Sequence, residues 1–297
     1  MTYSEQSSRA AVSGPAQGAA LMVAAGALFA VVNTLLQWVT MRAGLNSASV
    51  TLWQYGVALI CTLPWLILRP QGSLRTRRPL AHLSRVALAV GGVQLWTAGL
   101  AQVPIWQAIA LIMLSPMFVT LGAVALLGER VSLLRLLALI VGFAGGMVVL
   151  APWSEAFTAF ALLPVGAAAM WAGTSLMTKY LSRDEPPETL TLWLLALLVP
   201  ANAVLALPFG VVPAGPGLAL PAVAAAGVLT ALAQYLLARA YARHDAGYLQ
   251  PFDYLKLPLN VALGIAAFGF VPPGSLWIGA AMIVAASVTL VRLERAP

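Results

Sequence analysis

The chain is 297 residues long, 61% of them hydrophobic and 8% charged, with 16 Lys and Arg against 9 Asp and Glu for a net charge of +7. Soluble domains carry about a quarter of their residues as charge, so this composition, with a mean hydropathy of +0.90, excludes a soluble globular fold and predicts a polytopic membrane protein. The positive balance does not point to nucleic acid, because the basic residues sit in short segments between apolar runs, where they set topology instead.

Residues 1–17 are polar and lack the basic start and small-residue cleavage site of a signal peptide, so the first helix is expected to be retained. Apolar runs of about 20 residues, bounded by charge or by Pro and Gly clusters, mark candidate spans. They predict ten helices, at 18–40, 48–68, 83–102, 104–127, 132–150, 157–181, 189–209, 219–242, 248–270 and 275–292. Only Gln102, Val103 and Pro104 separate the third from the fourth, and proline suits the first turn of a new helix. The one cysteine, Cys61, lies inside an apolar run and can form no intramolecular disulfide.

With the N-terminus in the cytoplasm, every Lys and Arg except Arg42 and Lys256 falls on the inside, which predicts both termini cytoplasmic and an even number of spans. The chain also repeats itself. Ala108 to Pro152 holds two spanning runs joined by the hinge Gly128-Glu129-Arg130-Val131-Ser132, and Gln250 to Glu294, 142 residues on, holds a second such pair with Pro258 opposite Pro116. The same offset sets Ala27-Leu28-Phe29-Ala30 against Ala169-Met170-Trp171-Ala172. Five spans per copy require the second copy to enter from the opposite side. The expected fold class is therefore an all-α membrane protein, ten transmembrane helices as a 5+5 inverted repeat around a central cavity. Its parts are a polar N-terminus (1–17), a first repeat (18–152), a second repeat (153–293) and a short C-terminus (294–297).

The run Ser115-Pro116-Met117-Phe118-Val119-Thr120-Leu121-Gly122, continuing to Gly128-Glu129-Arg130 and a glycine-rich helix ending Gly145-Gly146-Met147-Val148-Val149-Leu150, resembles the fourth and fifth helices of the drug/metabolite transporter superfamily, in its EamA-type branch. The resemblance covers everything beyond the polar N-terminus. It implies a ten-helix inner-membrane exporter or exchanger of small metabolites, amino acids and aromatic amino acids among them. The glutamate turn is missing from the second copy, where Gly269-Phe270-Val271-Pro272-Pro273 stands instead, and Trp53-Gln54-Tyr55 stands where many relatives have an arginine.

Asp253 and Lys256 are charges inside an apolar run, three residues apart and so on one helix face. Charge at membrane depth is costly enough to mark a functional site by default. Lys256 would lie about 12 Å into its helix, near the midplane. Together the two would suit a zwitterion, although a self-neutralising pair between helices is an equal reading. Pro116 and Pro258, mid-helix at matching positions, are expected to act as hinges by freeing the carbonyls of Ile112 and Tyr254. The candidate substrate-binding set is Gln94, Trp96, Trp171, Gln234, Tyr235, Asp253, Tyr254 and Lys256, amide, aromatic and charged groups spread over both copies.

Glu129 and Ser132 read as a turn and a helix cap, His82 and His244 as solvated loop residues without metal-ligand spacing, and Gly142, Gly145 and Gly146, mirrored by Ala281, Ala285 and Ala286, as close-packing faces. No cofactor or metal is expected, nor any phosphate-binding loop to supply energy. The partners expected are a small-molecule substrate and the lipid bilayer, with the protein a monomer or weak homodimer in the inner membrane. The functional expectation is a non-enzymatic exporter or exchanger of small metabolites, foremost amino acids including aromatic ones, by alternating access, facilitative ahead of proton-coupled. A multidrug, nucleobase or cationic-drug exporter of the same fold is the alternative, and an intramembrane lipid-modifying enzyme the one from another class.

Overall fold

The computed structural model describes residues 3–67, 76–127, 132–181, 184–185, 187–211, 217–241, 249 and 252–295. Among the described residues there is no strand. That suits a bilayer, where a helix satisfies all of its backbone groups within one segment. The helices are α1 (Tyr3–Gln37, closing in a π-helical turn, Trp38–Arg42), α2 (Ser47–Ile67), α3 (Pro79–Leu100), α4 (Ile105–Ile112), α5 (Ser115–Leu127) and α6 (Leu133–Leu150), then α7 (Leu162–Leu181), α8 (Pro187–Ala206), α9 (Ala219–Tyr241), α10 (Lys256–Phe268) and α11 (Gly274–Arg295). Seven stretches of the described residues are long and apolar enough to cross a membrane: Gln17–Arg42, Pro79–Leu100, Ile105–Ala125, Leu133–Leu150, Ala159–Thr178, Ala219–Leu237 and Gly274–Leu293.

Two of the expected helices are broken, and at matching places. Met113 and Leu114 form a turn between α4 and α5, and Tyr254 and Leu255 form one before α10. Pro116 and Pro258 each sit in the first turn of the helix that follows, where a missing N–H costs nothing. The prolines thus begin helices instead of bending them. The expectation that Pro258 leaves the Tyr254 carbonyl free is corrected, since the Leu257 N–H donates to it at 3.1 Å in a tighter turn. At its other end the chain is helical from Tyr3, well before the apolar run begins.

Helices pair across the two sequence copies, and each pairing recurs with the copies exchanged. α1 packs on α9 as α7 packs on α3, and α5 packs on α7 as α10 packs on α1, while α2 meets α8 and α6 meets α11. The α6–α11 contact is a backbone contact. A Cβ on Gly145 would lie 2.7 Å from the Gly279 carbonyl oxygen, and one on Gly279 would lie 2.6 Å from that of Gly145. The small-residue face of α6 is therefore used within one chain. On α11 the opposing stripe is Leu276, Gly279, Ile283, Ala286 and Leu290, and Ala281 and Ala285 are exposed instead. Ser132 caps α6 as its position suggested, accepting from the Arg135 N–H at 3.2 Å; Glu129 lies outside the described residues.

At one end of the bundle the Gln37 side-chain amide, buried, donates to the carbonyls of Leu100 and Val103 at 3.1 and 2.7 Å. This satisfies carbonyls of the turn between α3 and α4 at residues that are fully buried and so cut off from water. At the same end Ser49 Oγ donates to Gly210 O (2.6 Å) and Trp53 Nε1 to Val211 O (2.7 Å), tying the start of α2 to the end of α8.

Candidate functional site

The break before α10 exposes one turn of polar side chains in an otherwise apolar segment. Asp253, Lys256 and Asn260 stand three and four residues apart, on a single helical face. Lys256 Nζ donates to Asp253 Oδ2 at 2.7 Å, and the two side chains keep 28% and 27% of their surface accessible. Asn260 is buried: its Nδ2 donates to the Lys256 carbonyl at 2.6 Å, and its Oδ1 accepts from Asn33 Nδ2 of α1 at 3.1 Å. Gly26 of α1 lies against the Lys256 stem, a Cβ there being 4.0 Å from Lys256 Cβ. The stripe is thus anchored on its buried side and reachable on the other. At the equivalent places in the first copy stand Leu111, Leu114 and Phe118. Phe118 meets Phe143 edge-on, with ring centres 5.3 Å apart. The turn is polar in the second copy and its counterpart in the first is apolar, with Leu111 and Leu114 buried in the core.

Between α3 and α7 the indoles of Trp96 and Trp171 lie 5.9 Å apart at 44°. α3 and α7 run antiparallel, Gly99 meeting Pro164, Gly92 meeting Trp171 and Leu88 meeting Gly173. Gly92 is what admits Trp171, because a Cβ there would come within 2.6 Å of the indole Cδ1. The bond from Gln37 to Leu100 levels the ends of α1 and α3. Trp96 and Asn33, each four residues back from those ends, therefore share a depth about 6 Å into the bundle. Trp96, Trp171 and Tyr254 pack against the same central apolar cluster.

The remaining sequence candidates lie elsewhere. Gln94 points away from the tryptophans to α8, donating to Asn202 Oδ1 at 2.7 Å. Gln234 and Tyr235 are exposed on α9, and the Tyr235 hydroxyl accepts from Arg239 at 3.1 Å. Asn260 was passed over, although its place four residues beyond Lys256 on an apolar helix could have drawn attention. Asn202 and the Thr51–Thr97 and Gln54–Thr230 bonds carry no comparable signal, since single hydroxyls and amides are common within membrane helices.

The opposite end of the bundle is closed by polar side chains. His82, expected in a solvated loop, is a correction: it sits in α3, fully buried, with its ring stacked on Trp193 at 4.8 Å and Nε2 2.6 Å from Glu185 Oε2. Thr76 Oγ1 donates to the other Glu185 oxygen, and Arg78 pairs with Asp184 at 2.6 Å. One turn deeper, Arg85 donates to Thr178 Oγ1 and to the Leu190 carbonyl, at 2.7 and 2.8 Å. Burial alone would raise the Glu185 carboxyl, but the hydrogen bonds from Thr76 and His82 and the charges of His82 and Arg78 outweigh it and hold the group below the usual carboxylate value. Every one of these bonds joins a residue of the first copy to one of the second. No local pattern announces these bonds, because the partners are about a hundred residues apart.

The EamA-like transporter family model matches residues 17–151 and again 158–292. The chain belongs to that family. It is a multi-pass membrane transporter and not an enzyme, with two family repeats in tandem. A protein of Rhizobium johnstonii named riboflavin transporter is 52% identical over 93% of this chain and 91% of its own length. Another so named, from Vibrio cholerae, is 50% identical over 91% of each. An S-adenosylmethionine uptake transporter of Rickettsia felis is 27% identical over 84% of this chain and 85% of its own. A solved structure covering 94% of this chain and 99% of its own superposes with a TM-score of 0.63 at 21% identity, which shows a shared fold. The expectation of an amino-acid exporter is overturned by these relatives, half identical almost end to end and named for riboflavin. The charged pair that suggested a zwitterion is as compatible with a neutral solute, because its two members already neutralise each other.

Proposed function

We propose that this EamA-family chain is a riboflavin carrier of the bacterial inner membrane, working by alternating access between two inverted five-helix halves, 18–152 and 153–293, with both termini in the cytoplasm. The observation that carries the reading is 52% and 50% identity, over more than nine-tenths of the chain, to two proteins named riboflavin transporters. Three features of the molecule support it. Helix pairings recur when the copies are exchanged, as two halves related by a two-fold axis in the membrane plane require. Both copies break a helix at the same place, the usual position of a transporter site. The indole pair at Trp96 and Trp171 and the polar turn at Asp253, Tyr254 and Lys256 border the same central apolar cluster, and a flavin is a flat aromatic ring with one polar edge. The turns at Met113–Leu114 and Tyr254–Leu255, just ahead of Pro116 and Pro258, serve as the hinge points. Gln94 acts outside this core of the site by holding α3 to α8, and Gln234 and Tyr235 lie exposed on α9 away from it.

Uptake of labelled riboflavin into proteoliposomes against an internal store of unlabelled riboflavin tests the reading. The expected result is saturable exchange that competing amino acids leave unchanged. Absence of saturable riboflavin exchange, or exchange only with S-adenosylmethionine, would refute it.

A further inference from the structure

We propose that the Asp253–Lys256 pair reads the pyrimidine edge of the flavin ring, Asp253 accepting from the ring N3–H and Lys256 donating to the adjacent ring carbonyl. The inference rests on the riboflavin reading and adds which two residues choose the solute and by which bonds.

The first ground is geometric. The pair presents an acceptor and a donor 2.7 Å apart on one helix face. In an amide edge the nitrogen and the oxygen are about 2.3 Å apart. Two parallel hydrogen bonds can therefore form, each to an ionised partner and so stronger than a neutral bond. The two side chains satisfy each other, and on binding each turns a spare lone pair or N–H to the ring, so neither charge is left alone in lipid. The second ground is position. Asn260, Asn33 and Gly26 hold the back of the turn, while about a quarter of each charged side chain stays accessible. The third is the asymmetry between the copies. Leu111 and Leu114 occupy the matching places in the first copy and are buried in the central apolar cluster, so the polar turn of the second copy borders a wholly apolar surround. The flavin ring has the same asymmetry, a hydrogen-bonding pyrimidine at one end and a dimethylbenzene at the other. A neutral pair suits a neutral solute, and a phosphorylated flavin would bring uncompensated negative charge into the membrane.

3-Methylriboflavin removes the one N–H in question and keeps the rest of the solute. In competition against labelled riboflavin, the wild-type protein is expected to prefer riboflavin over 3-methylriboflavin by about 10- to 100-fold, the worth of a charge-assisted hydrogen bond. Asp253→Leu/Lys256→Met takes out both charges together and leaves no orphan, and should bring that preference close to unity. Saturable riboflavin exchange without wild-type discrimination would overturn the pair's role and leave the riboflavin reading standing. So would a double variant that discriminates as well as the wild type. Failure of the wild type to exchange riboflavin would overturn both. Should the double variant not assemble, the wild-type ratio alone still decides.

Discussion

Gly92 shows how much one absent side chain can carry. Its missing Cβ leaves room for the Trp171 indole, and a methyl group would come within 2.6 and 2.7 Å of two ring atoms. A ring cannot yield as a flexible chain can, and the Trp96 indole lies close by. Gly92→Ala is expected to cost about 1–3 kcal/mol, the range for overpacking a close-fitted interior, read as a lower melting temperature in detergent. Gly91→Ala is the matched control, because there a Cβ would meet the flexible Met170 side chain at ordinary distances, 3.5 Å from its sulfur and 3.7 Å from Cγ. Equal melting of the two variants would show that Trp171 has space to move. At this scale the sequence was informative where physics makes a residue expensive. Asp253 and Lys256 stood out because charge inside an apolar run is costly. Gly92 did not, since glycine is frequent in membrane helices and only the neighbour across the gap gives it a role.

Helix by helix, each apolar run falls on helix, seven stretches of the described residues being long and apolar enough to cross a membrane, and the two breaks were the main departure. Hydropathy averages over about 20 residues and passes smoothly across a turn such as Met113–Leu114, whose side chains are as apolar as the helices beside it. The prolines gave the location to within a few residues, yet a proline is compatible with either a bent helix or a helix start. The choice depends on which neighbours accept the local backbone groups. The glycine-rich face of α6 was legible as a contact surface, and its partner was not. Gly279→Ala should force apart two backbones that touch at Gly145, where the opposing atom is a carbonyl oxygen held in a helix. We expect a loss of about 1–3 kcal/mol in stability. Ala281→Leu, on an exposed position of the same helix, should leave melting unchanged. A Gly279→Ala protein that melts with the wild type would mean that α6 and α11 slide freely.

Over the whole molecule, the polar cluster around Glu185 holds the two copies together at one end of the bundle. Because the folded environment depresses the Glu185 carboxyl, its contribution is fully present above the group's ordinary value of 4.5 and is lost as pH falls through the lower folded value. Glu185→Gln is therefore expected to melt below the wild type at neutral pH, with the difference shrinking as the pH drops beneath 4.5. A gap that persists unchanged in acid would mean that the carboxylate charge contributes nothing there.

The amino-acid sequence by itself determined that the chain lives in a bilayer, that it is built from two related copies, and that it carries one charged turn inside the second. Each of these follows from a local cost, the price of exposing polar groups or burying charge in hydrocarbon, which a single segment reveals. Only the tertiary structure decided that His82 and Glu185 meet, that Asn33 fastens Asn260, and that one glycine of α6 touches one of α11. Those are meetings of residues far apart in the chain. Each is chosen by how all the helices pack at once, which no segment encodes alone.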